Sequence, residues 1–216
     1  MKNKKLLAQL ALILVTIIWG VTFIMVKQAL NDVPPFSFAT LRFGVATILT
    51  LIIVNNNIFN LSKYEMIGGI FCGILLFTGY AFQNFGLMNT TASKSAFITS
   101  VSVLMVPFIL VILKIQNINL KTWVAVIIAT IGLYLLLIPG ENGLNLGDIL
   151  TFGCSLSFAL HLIAQDTFIK KNVRLLPFFL IQAGFVTLLS LINAHFLESQ
   201  SIIWSYRLII AILVTG

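Results

Sequence analysis

Polar side chains that interrupt long apolar stretches are the first candidates for chemistry in this 216-residue chain. Tyr80, Gln83 and Asn84 stand at helical spacing, so an α-helix places their polar groups on one face. Such a face suits the wall of a water-filled cavity in a membrane protein. The alternative is a set of hydrogen bonds that only hold neighbouring helices together. The spacing favours neither interpretation over the other.

Three further side chains stand where a purely structural residue is unexpected. An unpaired charge at the centre of a bilayer costs about 2.5–3.5 kcal/mol on insertion scales. Arg42, well inside an apolar segment, either anchors an anionic substrate group or braces a helix through backbone carbonyls. Trp19, too deep for the interfacial aromatic belt, either stacks on a substrate or packs against glycines. Lys94 either faces an anionic ligand at the outer mouth or is a solvated charge beside a helix cap.

His161 and Asp166 have the His-x-x-x-x-Asp spacing of some membrane-associated acyltransferases, in which the histidine is the general base. On a helix the two lie about 140° apart, so they do not share a face. His161 and Gln165 do share one, which favours a cavity role in proton or substrate handling. No zinc-protease, serine-hydrolase or phosphate-loop motif occurs, so we predict neither a metal nor another cofactor.

The elements that must position these residues follow from the composition, which is 59% hydrophobic and only 9% charged. Soluble domains carry about a quarter charged residues, so this composition excludes a freely soluble globule. The long apolar blocks fit helices that cross a lipid bilayer. We therefore predict an all-α, polytopic transmembrane helix bundle of about eight spans. The predicted spans are 6–27, 36–54, 64–88, 95–113, 122–139, 147–168 and 175–196, with a last block from about 204.

Basic residues predict the orientation of the chain. With a cytoplasmic N-terminus, nine lysines and arginines fall in the inside segments and two in the outside segments, as the positive-inside rule requires. The net charge of +7 thus sets the topology. No segment is long enough for a basic face that binds nucleic acid. We expect a multi-pass protein of the inner (cell) membrane.

Two parts of the chain are weakly similar to each other. The pair Trp19-Gly20 has a counterpart in Phe158-Ala159, and the triplet 42–44 has one in 182–184. We predict a five-helix repeat at 1–139 and a partial second repeat of three helices at 147–216. An odd number of helices inverts the second copy in the membrane, which places a binding site near the midplane between the repeats.

The stretches 19–23, 40–43, 81–87, 90–97 and 132–136 resemble an EamA-type repeat of the drug/metabolite transporter superfamily. The resemblance implies inverted five-helix repeats and a secondary transporter that moves small metabolites, such as amino acids, by alternating access. It also implies that the chain is a fragment; a natural end at Gly216 would instead require a homodimer or a partner subunit. We predict no enzyme. The alternatives are an acyl or lipid transferase using His161 and Asp166, and a non-transporting assembly subunit.

Overall fold

The computed structural model describes residues 2–54, 60–137 and 143–216. Within these ranges the chain forms eight α-helices and no strand. The end predicted for the fifth span, at 139, lies outside the described residues. The helices are α1 Lys2–Ala29, α2 Pro35–Val54, α3 Lys63–Asn89, α4 Ala92–Ile112, α5 Leu120–Leu137, α6 Leu146–Ile169, α7 Leu175–Leu197 and α8 Tyr206–Thr215.

Six of the described helices (α1 to α4, α6 and α7) are long and apolar enough to cross a membrane. α5 and α8 supply shorter apolar helices, Leu120–Gly132 and Tyr206–Thr215. The prediction of an all-α, polytopic transmembrane bundle is therefore confirmed. The fourth helix begins before its predicted start at 95, because the Thr91 side chain accepts a hydrogen bond from the Lys94 amide and caps the helix there.

The helices α2, α3, α6 and α7 pack together extensively, and a separate buried apolar cluster joins α1, α2, α3 and α8. α3 packs against α6 and α7, α2 packs against α7, and α4 packs against α6. Glycines permit these close approaches: a Cβ on Gly69 would lie 2.7 Å from the Ile181 side chain, and one on Gly147 would lie 2.6 Å from the Gly86 carbonyl oxygen. α8 lies against α1 and α2. Most of α1 is exposed, as expected for a helix that faces lipid.

The crossing of α2 and α7 is reciprocal. A Cβ on Gly44 would lie 3.8 Å from the Thr187 methyl group, and one on Gly184 would lie 3.7 Å from the Thr47 methyl group. The hydroxyls of Thr47 and Thr187 are 3.2 Å apart, and these two residues are 140 positions apart in the chain. Gly44 and Gly184 have the same separation. An approximate two-fold axis between two helices produces such paired contacts.

Candidate functional site

A small cavity lies where α1, α2 and α3 meet. The volume open to the centre of a water molecule is about 10 Å³, so the cavity has room for about one water molecule. The structure brings together four of the predicted site residues here, Trp19, Arg42, Tyr80 and Gln83. We call this space the Arg42 cavity, and its lining residues are Trp19, Thr22, Phe23, Val26, Arg42, Tyr80, Gln83 and Leu87.

The Arg42 guanidinium is buried at one side of the cavity, with 8% of the residue exposed. Its Nη2 donates a hydrogen bond to the Tyr80 hydroxyl at 3.3 Å, and its Nε donates to the Thr215 carbonyl at 3.1 Å. The guanidinium carbon lies 4.4 Å from the centre of the Tyr80 ring, within range of a cation–π interaction. The carbonyl contact is the kind expected of a bracing arginine, and the contact with a cavity is the kind expected of a ligand anchor.

Neighbouring aromatic rings fix the position of Tyr80. Phe43 and Phe158 meet it edge to face, with ring centroids 4.9 Å and 5.2 Å away. The Phe158 ring lies directly against Gly79, where a Cβ would occupy the same space. The absence of a side chain at residue 79 therefore lets α6 pack closely against α3 beside Tyr80.

Gln83 and Asn84 turn to different neighbours, although both are buried. Gln83 lines the cavity, and within the described part of the chain no hydrogen-bond partner of its amide is found. Asn84 Nδ2 donates to the Pro35 carbonyl at the start of α2, at 3.1 Å. Consecutive helical residues lie about 100° apart. Asn84 therefore lies outside the cavity lining, although the helix places Tyr80 between it and Gln83 on one side of α3.

Trp19 forms the least enclosed part of the cavity wall, with 54% of its surface exposed. A Cβ on the adjacent Gly20 would meet no described atom within 4 Å. The Trp19 carbonyl accepts a hydrogen bond from the Thr22 hydroxyl at 2.7 Å. At this level, α1 is therefore in contact with few of the described residues.

His161 lies outside the cavity lining and is bonded within the α6–α7 interface. Its Nε2 is 2.9 Å from Gln182 Oε1, which also accepts from Gln165 Nε2 at 3.3 Å. Gln182 Nε2 is buried without a partner among the described residues. Asp166 is largely exposed and pairs with Lys170. His161 and Asp166 therefore do not form the pair that an acyltransferase mechanism needs.

Lys94 also lies outside the cavity lining. Its Nζ is 3.5 Å from Asp148 Oδ2, and the buried Asp148 also accepts from the Thr90 hydroxyl. The Lys27 ammonium donates to the Thr90 carbonyl at 2.6 Å, at the end of α3. Sequence reasoning treated Lys94 as a solvated loop charge or a ligand contact, whereas the structure shows an ion pair with α6. The signal for Asp148 was its capping box with Asn145.

Two carboxylate contacts, one through the buried Glu65 and one through the half-buried Glu198, join the ends of α7 to α3 and α2. At the start of α7, Glu65 accepts from Arg174 Nε at 2.7 Å and from the Arg174 amide at 3.0 Å. This hydrogen bonding raises the pKa of the Arg174 guanidinium. At the end of α7, Glu198 accepts from the amides of Phe36 and Ser37 at 2.6 Å and 2.8 Å. The sequence analysis missed both, although Ser62 and Glu65 form a recognisable capping box.

Potential metal ligands are dispersed in the described ranges, where no group of three or more His, Cys, Asp or Glu side chains is placed to hold a metal ion. Cys72 and Cys154 are free and buried. The lining of the Arg42 cavity offers a guanidinium, hydrogen-bonding side chains and aromatic rings.

Comparison with known proteins finds relatives that are named transporters. An uncharacterized transporter of Archaeoglobus fulgidus is 39% identical over 155 residues, which is 72% of this chain and 47% of that protein. The uncharacterized transporter YoaV of Bacillus subtilis is 26% identical over 219 residues, 96% of this chain and 73% of that protein. The chain thus matches about half the length of the archaeal relative. Residues 6–138 match the model of the EamA-like transporter family, so the chain belongs to that family.

Proposed function

We propose that the chain forms the substrate-binding part of a secondary transporter of the cell membrane. It moves small metabolites, such as amino acids or related compounds, by alternating access. Family membership and the names of its relatives support a membrane transporter. The observation that carries the finer proposal is the Arg42 cavity, where polar groups converge next to the reciprocal crossing of α2 and α7.

The reciprocal contacts support an inverted repeat, with one unit at 1–139 and a partial second unit at 147–216. Under this relation α1, α2 and α3 correspond to α6, α7 and α8. The packing of α3 on α6 and α7 then corresponds to the packing of α8 on α1 and α2. Two copies inserted in opposite directions give two related states, each open to one side. Arg42 corresponds to Gln182, so the two repeats present different chemistry to a ligand.

The carboxylate contacts at the two ends of the bundle suit such a cycle. With the N-terminus in the cytoplasm, Glu65 and Arg174 lie at the cytoplasmic end, and Glu198 lies at the outer end. Each contact joins the two proposed repeats. Both are formed in this structure, and the cavity between them holds about one water. We interpret the structure as a closed state, in which one contact must break for the cavity to open to that side.

The experiment is a counterflow assay with the purified full chain in proteoliposomes. Vesicles are loaded with one unlabelled compound from a panel of amino acids, organic acids and organic cations. Uptake of the same compound, radiolabelled, is then measured without ATP or an ion gradient. We expect at least one compound to accumulate transiently above its equilibrium level, and vesicles without protein to show no accumulation.

The same assay separates transport from the alternatives. Mass spectrometry of the accumulated compound should show it chemically unchanged, whereas an acyl or lipid transferase would yield a modified product. If no compound is exchanged by protein that elutes as a monodisperse peak from size-exclusion chromatography, the transporter proposal is wrong. A non-transporting assembly subunit would then be the better interpretation.

A further inference from the structure

The positive charge of Arg42 is buried among neutral groups. Its hydrogen-bond acceptors are the Tyr80 hydroxyl and the Thr215 carbonyl, and the rings near its guanidinium are those of Tyr80 and Phe43. A phenol and a carbonyl each offer a partial charge only. A carboxylate that joined this set would supply the full negative charge that a phenol and a carbonyl lack, through charge-assisted hydrogen bonds.

The side-chain carboxylates within the described ranges are committed to other contacts. Five of the six lie in the described ranges, and all five have partners other than Arg42. Asp32 accepts from Ser205, Glu65 from Arg174, Asp148 from Thr90 and Lys94, Asp166 from Lys170, and Glu198 from the start of α2. Within the described residues, the charge of Arg42 therefore has no anionic partner.

A second polar group in the same cavity also has an unused hydrogen-bonding capacity. Gln83 is 6% exposed, and its side-chain amide is without a partner among the described residues. Its NH₂ group can donate to an oxygen that sits on the guanidinium. Thr22 adds a hydroxyl that already donates to the Trp19 carbonyl, and the remaining lining is aromatic or aliphatic. The cavity thus combines one cation, one free amide and mostly apolar walls.

We propose that Arg42 and Gln83 form a carboxylate-binding subsite, and that the transported metabolite carries a single carboxylate on a small apolar body. This inference rests on the proposed transport function. A planar guanidinium matches a carboxylate by paired hydrogen bonds. One arginine balances one negative charge, which favours a carboxylate over a phosphate with its higher charge. Because the closed cavity has room for about one water, the ligand enters once one of the two carboxylate contacts has broken.

The experiment measures binding first, so that its result does not depend on transport. Purified full-length chain in detergent is heated with isocaproate, with isocaproamide, or with inorganic phosphate at equal concentration. Isocaproamide has the same carbon skeleton without the charge. We expect isocaproate to raise the apparent melting temperature and the other two probes to leave it unchanged. Equal stabilisation by the amide or by phosphate, or no stabilisation by isocaproate, would overturn the proposal.

Substitutions assign the effect to Arg42. In R42Q the difference between isocaproate and isocaproamide should disappear, and R42K should retain a reduced difference because it keeps the charge but loses the planar fork. The matched control is R207Q, which removes an exposed arginine at the start of α8 and should behave like the parent protein. If R42Q does not fold, R42K and the parent protein still decide between the outcomes.

Transport then tests whether the subsite belongs to the translocation path. For a compound found by counterflow, the free acid should half-saturate transport at a concentration at least about tenfold below that of its amide. R42Q should remove this preference. Transport in which the amide is equally effective would overturn the carboxylate assignment and leave the transporter proposal intact. Absence of any counterflow, with isocaproate still binding through Arg42, would instead overturn the transporter proposal alone.

Discussion

Replacing Gly147 with alanine should destabilise the protein, because α3 and α6 approach each other through this residue. A Cβ at Gly147 would lie 2.6 Å from the Gly86 oxygen, 2.6 Å from the Asn89 carbonyl carbon and 2.7 Å from the Thr90 nitrogen. All three are backbone atoms, so no side-chain rotation can relieve the contact. Since ordinary carbon contacts are about 3.5–4.0 Å, the two helices must move apart by most of an ångström.

The expected magnitude combines two opposing terms. Overpacking of a tight interface costs about 1–3 kcal/mol, and backbone neighbours place this site near the upper end. Alanine has a higher helix propensity than glycine, which returns at most about 1 kcal/mol. We therefore expect G147A to lose about 2 kcal/mol. The matched control is G132A in α5, where a Cβ meets no described atom within 4 Å, so only the favourable term applies.

Both purified variants are heated at one fixed rate in the same detergent, and size-exclusion chromatography measures how much folded protein remains. G147A should lower the apparent melting temperature, and G132A should leave it unchanged or raise it. Because the two melting temperatures should shift in opposite directions, the comparison does not depend on the absolute size of either shift. An unchanged or raised melting temperature for G147A would show that α3 and α6 do not meet as described.

Three further predictions concern the ion pairs, the cavity and the α2–α7 crossing. E65Q should lower the melting temperature clearly more than D166N, because Glu65 is buried against Arg174 whereas Asp166 is exposed; equal shifts would contradict this difference. Y80F keeps the ring but loses the hydroxyl, which lies 3.3 Å from Arg42 Nη2. The half-saturation concentration for transport should therefore rise about two- to tenfold, and a rise above a hundredfold would contradict this prediction. T47V removes an interhelical hydrogen bond typically worth about 0.6 kcal/mol, so its unfolding free energy in a denaturant titration should change by no more than about 1 kcal/mol.

The helices could be predicted from the sequence because each apolar block is long enough to require a membrane helix. The ends of the helices agree with the prediction to within a residue where a local signal marks them, as at Pro34-Pro35, where α2 begins. They differ where a side-chain cap acts, as at Thr91. These features depend on neighbouring residues, which a sequence shows directly.

The partners of the polar residues could not be predicted in the same way. Lys94 pairs with Asp148, 54 positions further along the chain, and Glu65 pairs with Arg174 over 109 positions. Helical spacing shows which residues share a face, but it does not show which helix that face will meet. Arg42 was recognised because a charge in an apolar segment is costly, whereas its contact with the Tyr80 ring required the packing of α2 on α3.

Gln83 and Asn84 have different surroundings, and the sequence alone could not predict this difference. Both are polar, both are buried, and they are adjacent in the chain. Only the position of α2 decides that Asn84 bonds to the Pro35 carbonyl while Gln83 faces the cavity. A sequence pattern can therefore nominate a polar face, and the neighbouring helices select which of its residues line the cavity.

Alternating access to the Arg42 cavity is tested most directly by labelling a cysteine placed in its wall. The native cysteines are first replaced by alanine. T22C then places a thiol in the cavity wall with little change in side-chain size. The control is V103C, which replaces an exposed valine of α4 outside the cavity. A membrane-impermeant thiol reagent is added to right-side-out or to inside-out vesicles. We predict that T22C is labelled from both sides and V103C from neither, since a thiol surrounded by lipid does not ionise. Labelling of T22C from one side only would contradict alternating access.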